Sequence, residues 1–173
     1  VFDDSSGRPI DLDLRGTDPI TAGGNAGSNV LSGHNNTAAN VLAGGLGDDI
    51  YYIGLGDTII ENPGEGNDSA LIQDGAVGTY SLSLSALANV ENLSISSVLE
   101  ASNLLGNNDA NQLEGNGYAN YLSGGGGNDR LLGGSGNDTL EGGSGNDTFY
   151  ENTSNNGNDT YLFNMGDGKD TVT

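Results

Sequence analysis

Apolar residues in this chain stand singly between Gly, Asn, Asp and Ser, and through the central and C-terminal parts they recur at one interval. Ile95, Leu104, Leu113, Leu122, Leu131, Leu140 and Phe149 each follow the last by nine residues. That interval suits no helix. No window of eleven residues carries an amphipathic stripe, and each interspersed glycine would cost a helix about 1 kcal/mol relative to alanine. A nine-residue unit with one inward residue must contain both a turn and a strand, so six residues are expected to turn and three to extend. Two units then close a coil, and stacked coils set two parallel sheets face to face across a thin apolar layer, with neighbouring strands about 4.8 Å apart. The predicted fold class is all-β, a right-handed parallel β-roll (β-solenoid), the hand following the usual sense of parallel crossovers.

The polar positions are as regular as the apolar ones. Two residues before each of the last three apolar positions stands an aspartate, Asp129, Asp138 and Asp147, and the two preceding units carry Asn111 and Asn120 there. The unit is clearest in Gly124–Leu132 (GGGGNDRLL), Gly133–Glu141 (GGSGNDTLE) and Gly142–Tyr150 (GGSGNDTFY). It occurs once more upstream in Gly44–Tyr52 (GGLGDDIYY), with Asp49 and Tyr51 in the two diagnostic places.

Glycine at the first, second and fourth places allows the chain to double back and its carbonyls to converge. In a stretched turn successive carbonyls point to alternate sides, so those of places one and three face one ion and those of two and four its neighbour. The candidate ligands are therefore Gly44, Leu46 and Asp49; Gly124, Gly126 and Asp129; Gly133, Gly134, Ser135, Gly136 and Asp138; and Gly142, Gly143, Ser144, Gly145 and Asp147. Asp57, Asp68, Asp159 and Asp170 join them at irregular spacing. A turn stacks on the turn two units later, so Asp129 and Asp147 are expected on one edge and Asp138 on the other. Carboxylates about 5 Å apart repel by several kcal/mol in a partly buried medium, which a cation relieves. Carbonyl and carboxylate oxygens alone suit a hard cation with six to eight ligands, so calcium fits better than magnesium. Zinc is disfavoured, because cysteine is absent and His34 is the one imidazole.

These four units resemble the RTX calcium-binding nonapeptide, G-G-x-G-x-D-x-U-x, and the likeness extends over roughly residues 24–173. The resemblance implies several bound Ca2+ ions, secretion to the outside of a bacterial cell or its surface, and export by a type I system in an unfolded state.

Composition sharpens the picture. Among 173 residues are 31 glycines and 24 acidic against 4 basic side chains, a formal charge of −20, with 34% hydrophobic residues. Such a chain repels nucleic acid, and without cations it lacks the apolar material to offset the entropy of ordering. About five to eight ions would cancel most of the charge and couple metal binding to folding. No stretch approaches eighteen apolar residues, so no membrane span is expected. No basic segment followed by an apolar run marks a signal peptide, as would also hold for an excised fragment.

Five segments are expected. Residues 1–22 form a lead-in or cap, and 23–70 hold N-terminal coils, two of them degenerate, with Asn29 and Asn40 at the acidic place and Leu31 and Leu42 inward. Those two coils are expected to bind calcium weakly or not at all. Residues 71–97 alternate Tyr80, Leu82 and Leu84 with Ser81, Ser83 and Ser85, the pattern of a longer half-buried strand. Residues 98–150 are the main roll. Residues 151–173 are end units in which Tyr150, Tyr161, Phe163 and Met165 close the last layer. His34 is expected on a surface loop. The carboxylates of Asp11–Thr17 imitate the start of an EF-hand loop, but Arg15 takes a ligand place and Ala22 stands at position twelve.

No G-x-S-x-G, P-loop or H-E-x-x-H motif is present, and repeat geometry already accounts for the acids, so the segment is expected not to be an enzyme. The leading functional expectation is a monomeric calcium-binding module that folds on meeting extracellular Ca2+ and serves secretion and stability of the larger polypeptide to which it belongs. Two alternatives stand beside it. One is an adhesin-type module binding glycan or ice through a row of Thr139, Thr148, Thr160 and Thr171, and the other is a non-catalytic accessory domain of a secreted enzyme.

Overall fold

The computed structural model describes residues 8–54, 56–73, 78–82, 87–96, 100–151 and 157–173. The described residues contain strands and turns and no helix. The chain divides into two compact units, Val1–Ala76 with Leu84–Asn92, and Val77–Ser83 with Leu93–Thr173.

The first unit holds β1 (Asp11–Asp13), β2 (Thr21–Gly23), β3 (Val30–Ser32), β4 (Val41–Ala43), β5 (Ile50–Ile53), β6 (Thr58–Ile59) and β7 (Ser69–Ile72). Odd and even strands go to different sheets, in the orders β1-β3-β5-β7 and β2-β4-β6, all parallel. Register places the inward residues over one another: Leu12, Leu31, Tyr51 and Ala70 in one column, Ala22, Leu42 and Ile59 in the other. The residues expected to be a lead-in thus already supply β1 and β2. Here the coils are not uniform: Asn29 meets Asp49 after 20 residues, Asp49 meets Asp68 after 19, and Asn40 meets Asp57 after 17.

The second unit contains β8 (Thr79–Ser81), β9 (Asn92–Ile95, beginning at the boundary residue Asn92), β10 (Asn103–Leu105), β11 (Gln112–Glu114), β12 (Tyr121–Gly126), β13 (Arg130–Leu132), β14 (Thr139–Ser144), β15 (Thr148–Tyr150), β16 (Thr160–Leu162) and β17 (Thr171–Val172). Its sheets run β8-β10-β12-β14-β16 and β9-β11-β13-β15-β17. Tyr80, Leu104, Leu122, Leu140 and Tyr161 stack in the first, and Leu113, Leu131, Phe149 and Val172 in the second. Leu104, Leu113, Leu122, Leu131 and Phe149 are fully buried, and each such side chain contributes about 1.5–3 kcal/mol by leaving water.

Three expectations need correction. The six-and-three division fails in β12 and β14, which are six residues long, because the stacked turns are extended enough to pair Gly125 with Gly143 and Gly126 with Ser144. The longer strand is three residues at Thr79–Ser81, with Ser81 and Leu82 both buried; Ser83, Leu84 and Ser85 lie outside the described residues. Met165 is fully exposed rather than packed, because it sits on the Met165–Gly166 turn, while Tyr161 and Phe163 meet the Phe149 ring edge-on at 5.3 and 5.6 Å. His34 is half-buried, with Nδ1 2.9 Å from Ser32 Oγ and its ring 6.2 Å from that of Tyr52. Among the described residues no helix is long and apolar enough to cross a membrane.

Candidate metal centres

Each aspartate at place six sits where the strand begins, and the inward residue two places later anchors it. In the second unit Asp129, Asp138 and Asp147 are about 1% exposed. Each takes a backbone N–H from the coil before on its Oδ1: Asn111 donates to Asp129, Asn120 to Asp138 and Asp129 to Asp147, all at 2.8 Å. The ladders continue to the end units, where Asp138 donates to Asp159 at 2.9 Å and Asp147 to Asp170 at 3.0 Å. Asp129 and Asp147 therefore share one edge and Asp138 and Asp159 the other, as the two-unit stacking requires.

The second carboxylate oxygen is left over. Oδ2 of Asp49, Asp129, Asp138 and Asp147 is buried without any hydrogen-bond partner. An unpaired buried anion is among the costliest features a fold can carry. Among the described residues one ion pair occurs, Arg15 with Asp13 at 2.7 Å, and it lies on the surface. No basic side chain compensates the turns among the described residues.

The first glycine of each unit creates the room for that oxygen. A Cβ at Gly44, Gly124, Gly133 or Gly142 would collide with Oδ2 of the aspartate in its own turn. At those places glycine is required for space. Backbone conformation demands it at places two and four, as at Gly134 (φ +95°) and Gly136 (φ +107°). Ser135 and Ser144 stand between them at place three. The turns stack through main-chain bonds, Gly126 N to Asn107 O and Ser135 N to Asn116 O, both 2.8 Å.

Burial raises the aspartate pKa values. Desolvation, offset in part by the N–H of Asn111 and reinforced by the charge of Asp147, pushes Asp129 up to about 7. Asp138 is pushed up to about 6, again by burial first, and Asp49 and Asp147 are raised by the same cause. These groups hold a charge poorly until a cation compensates it.

The asparagine turns show what fills the same position when no ion is needed. Asn29 is at place six of its unit, and its Nδ2 donates to the carbonyls of Asn25 and Gly27, places two and four, and to Asp49 Oδ1 at 3.0 Å. Asn40 does likewise, its Nδ2 donating to Ala38 O at 2.9 Å, Gly33 O at 3.3 Å and Asp57 Oδ1 at 2.9 Å. An amide nitrogen there bonds to turn carbonyls and to the next carboxylate, the donor set a hard cation would take. Where aspartate replaces asparagine, an orphaned oxygen replaces that nitrogen. The residues present therefore fit a calcium ion.

The first unit departs from the pattern. Asp57 satisfies both oxygens without an ion, Oδ1 from Asn40 and Oδ2 from Gly54 N at 2.9 Å. Asp68 accepts from Asp49 N at 2.8 Å, and burial pushes its pKa up to about 6. Leu46, at place three of the Gly44 turn, is 53% exposed and offers its carbonyl alone. Glu61 was not marked by the sequence. It is 6% exposed, its Oε1 accepts from Gly44 N at 3.1 Å and from the Tyr51 hydroxyl, and its Oε2 is a fifth orphan. Burial pushes its pKa up to about 7. The available signal was register: Leu42 pairs with Ile59, so Glu61 continues past β6 at the level of Gly44.

The four threonines do not form one row, because Thr139 pairs with Thr160 in one sheet and Thr148 with Thr171 in the other. Asp13, in the EF-hand lookalike, is bonded to Arg15 and Asn35.

The geometry agrees with the comparisons. Residues 105–140 and 124–150 match the family of RTX calcium-binding nonapeptide repeats, in four copies. Residues 105–150 thus carry RTX calcium-binding nonapeptide repeats, and the all-strand parallel solenoid is consistent with an RTX β-roll, which supports a calcium-binding module. The match covers residues 105–150 of the wider stretch, 24–173, over which resemblance was expected. No curated protein matches the chain.

Proposed function

We propose that this module is unfolded where calcium is scarce and folds when it meets Ca2+ outside the cell, serving the export and stability of the larger polypeptide to which it belongs, without catalysis of its own. One observation carries this reading. The buried carboxylate oxygens of Asp129, Asp138 and Asp147 lack any partner, in a chain of net charge −20. Metal-free, the folded state must bury these charges or protonate them, while the unfolded state leaves them in water. Ion binding then contributes directly to folding free energy. Backbone carbonyls around the aspartates Asp129, Asp138 and Asp147, with Gly124, Gly126, Gly133, Gly134, Ser135, Gly136, Gly142, Gly143, Ser144 and Gly145 supplying the turns, make weak sites of the kind used by extracellular modules, about 10⁻⁴–10⁻³ M. Asp159 and Asp170 extend the ladders of the second unit and Asp49 and Asp68 form one within the first, whereas Asp57 closes its turn with protein donors alone.

Far-UV circular dichroism during a calcium titration tests this. The β-signal should be small in excess chelator and rise cooperatively in the sub-millimolar to millimolar range. A full β-signal that chelator leaves unchanged would sink the reading.

A further inference from the structure

We propose that Asp49, Glu61 and Asp68, with the Tyr51 hydroxyl holding Glu61, form a separate cation site built from three side-chain carboxylates, one that takes Ca2+ and, more tightly, a trivalent lanthanide ion. The inference rests on the calcium reading for the identity of the physiological cation, and adds a site of different make-up.

The three side chains come from different parts of the first unit. Asp49 precedes β5, Asp68 precedes β7 and Glu61 follows β6, yet one oxygen from each lies within 4.8 Å of the others. All three residues are buried, at 1%, 6% and 1% exposure. Two oxygens, Asp49 Oδ2 and Glu61 Oε2, have no hydrogen-bond partner at all. Three of the other four oxygens are oriented by defined donors: Asp49 Oδ1 by Asn29 N at 2.6 Å, Asp68 Oδ1 by Asp49 N at 2.8 Å, and Glu61 Oε1 by Gly44 N at 3.1 Å.

Tyr51 explains why Glu61 is fixed. It occupies the inward place of its coil, in the column of Leu31 and Ala70, and is fully buried, and its hydroxyl bonds Glu61 at the edge of the apolar layer. Gly44 leaves the space: a Cβ there would strike both Asp49 Oδ2 and the Tyr51 hydroxyl. A nonapeptide turn supplies one carboxylate with its carbonyls. This cluster supplies three, and carboxylate count is what raises the affinity of a hard-cation site. Attraction grows with the charge of the ion, so a 3+ ion of similar size gains more than Ca2+.

The test uses terbium(III) as the probe with the full chain, exciting tyrosine and reading terbium emission, alongside calorimetric stoichiometry. The wild type should show a first saturating step of one equivalent, before the turn sites fill. Glu61→Gln should weaken that step at least tenfold. Tyr51→Phe, which keeps all three carboxylates but frees Glu61, should weaken that step and lose most of its sensitised emission, while exposed Tyr118→Phe should alter neither. A first step of wild-type affinity in Glu61→Gln would overturn the proposal. Should Glu61→Gln fail to fold in saturating calcium, Tyr51→Phe decides, and unchanged emission in the first step overturns it. A wild-type chain that takes up neither ion contradicts the calcium reading itself; uptake with an unaltered first step in both variants contradicts this cluster alone.

Discussion

The backbone N–H of Asp129 donates to Oδ1 of Asp147 at 2.8 Å, so one ligand aspartate orients the carboxylate of the next on the same edge. The bond leaves Asp147 Oδ2 buried and unpaired, which separates two substitutions. Asp147→Asn keeps an acceptor for Asp129 and replaces the orphaned oxygen with an amide nitrogen of the kind that serves at Asn29 and Asn40. It should lower the bound-calcium count while making the metal-free fold no less stable. Asp147→Ala should also lower the count, and cost a further ~1–3 kcal/mol by stranding the Asp129 N–H. Urea unfolding in saturating calcium and the calcium midpoint of folding, with calorimetric stoichiometry, distinguish the two.

Stability of the metal-free fold should fall as pH rises. Burial holds Asp129 at about 7 and Asp138 and Asp68 at about 6 in the folded chain, against about 3.9 for an unfolded aspartate. Between these values the folded state binds more protons than the unfolded one. The penalty is therefore absent below about pH 4 and complete above about pH 7. In calcium the order reverses, because protons compete with the ion for the same oxygens. Circular dichroism in chelator at pH 4.5, 6 and 7.5, repeated in millimolar calcium, should show opposite trends.

Glycines in the turns are not equivalent. Gly136 has φ +107°, and a Cβ there would press on the backbone of Tyr118 and on Ala119 N. Gly136→Ala should cost at least ~1–2 kcal/mol and raise the calcium midpoint of folding. At Gly117 a methyl group would meet nothing within 4 Å, and its φ is not positive, so alanine should be tolerated there within about 0.5 kcal/mol. Calcium midpoints of the two variants, followed by circular dichroism, make the comparison.

The nine-residue period made the columns of the second unit legible: Leu104 over Leu122 and Leu140, and Leu113 over Leu131 and Phe149. The alternation of Asp129 and Asp138 between edges followed from the same period. In the first unit legibility failed for a geometric reason. Coils of 17, 19 and 20 residues depart from the regular eighteen in both directions, so Asp57 and Asp68 fall off the nine-residue period, although they stack on Asn40 and Asp49. Glu61 was invisible because its partners are set by register across coils rather than by spacing along the chain. The role of Asn29 and Asn40 was half visible. Their place in the turn was clear, but the bonds from their amide nitrogens to the turn carbonyls emerge only in three dimensions.

The central claim is that divalent cations neutralise the orphaned carboxylate oxygens of the turns. A long-wavelength anomalous difference map from crystals grown in millimolar calcium chloride tests it most directly. Peaks of calcium strength beside Oδ2 of Asp129, Asp138 and Asp147 are the expected result. Intact coils with only water at those three oxygens would contradict it.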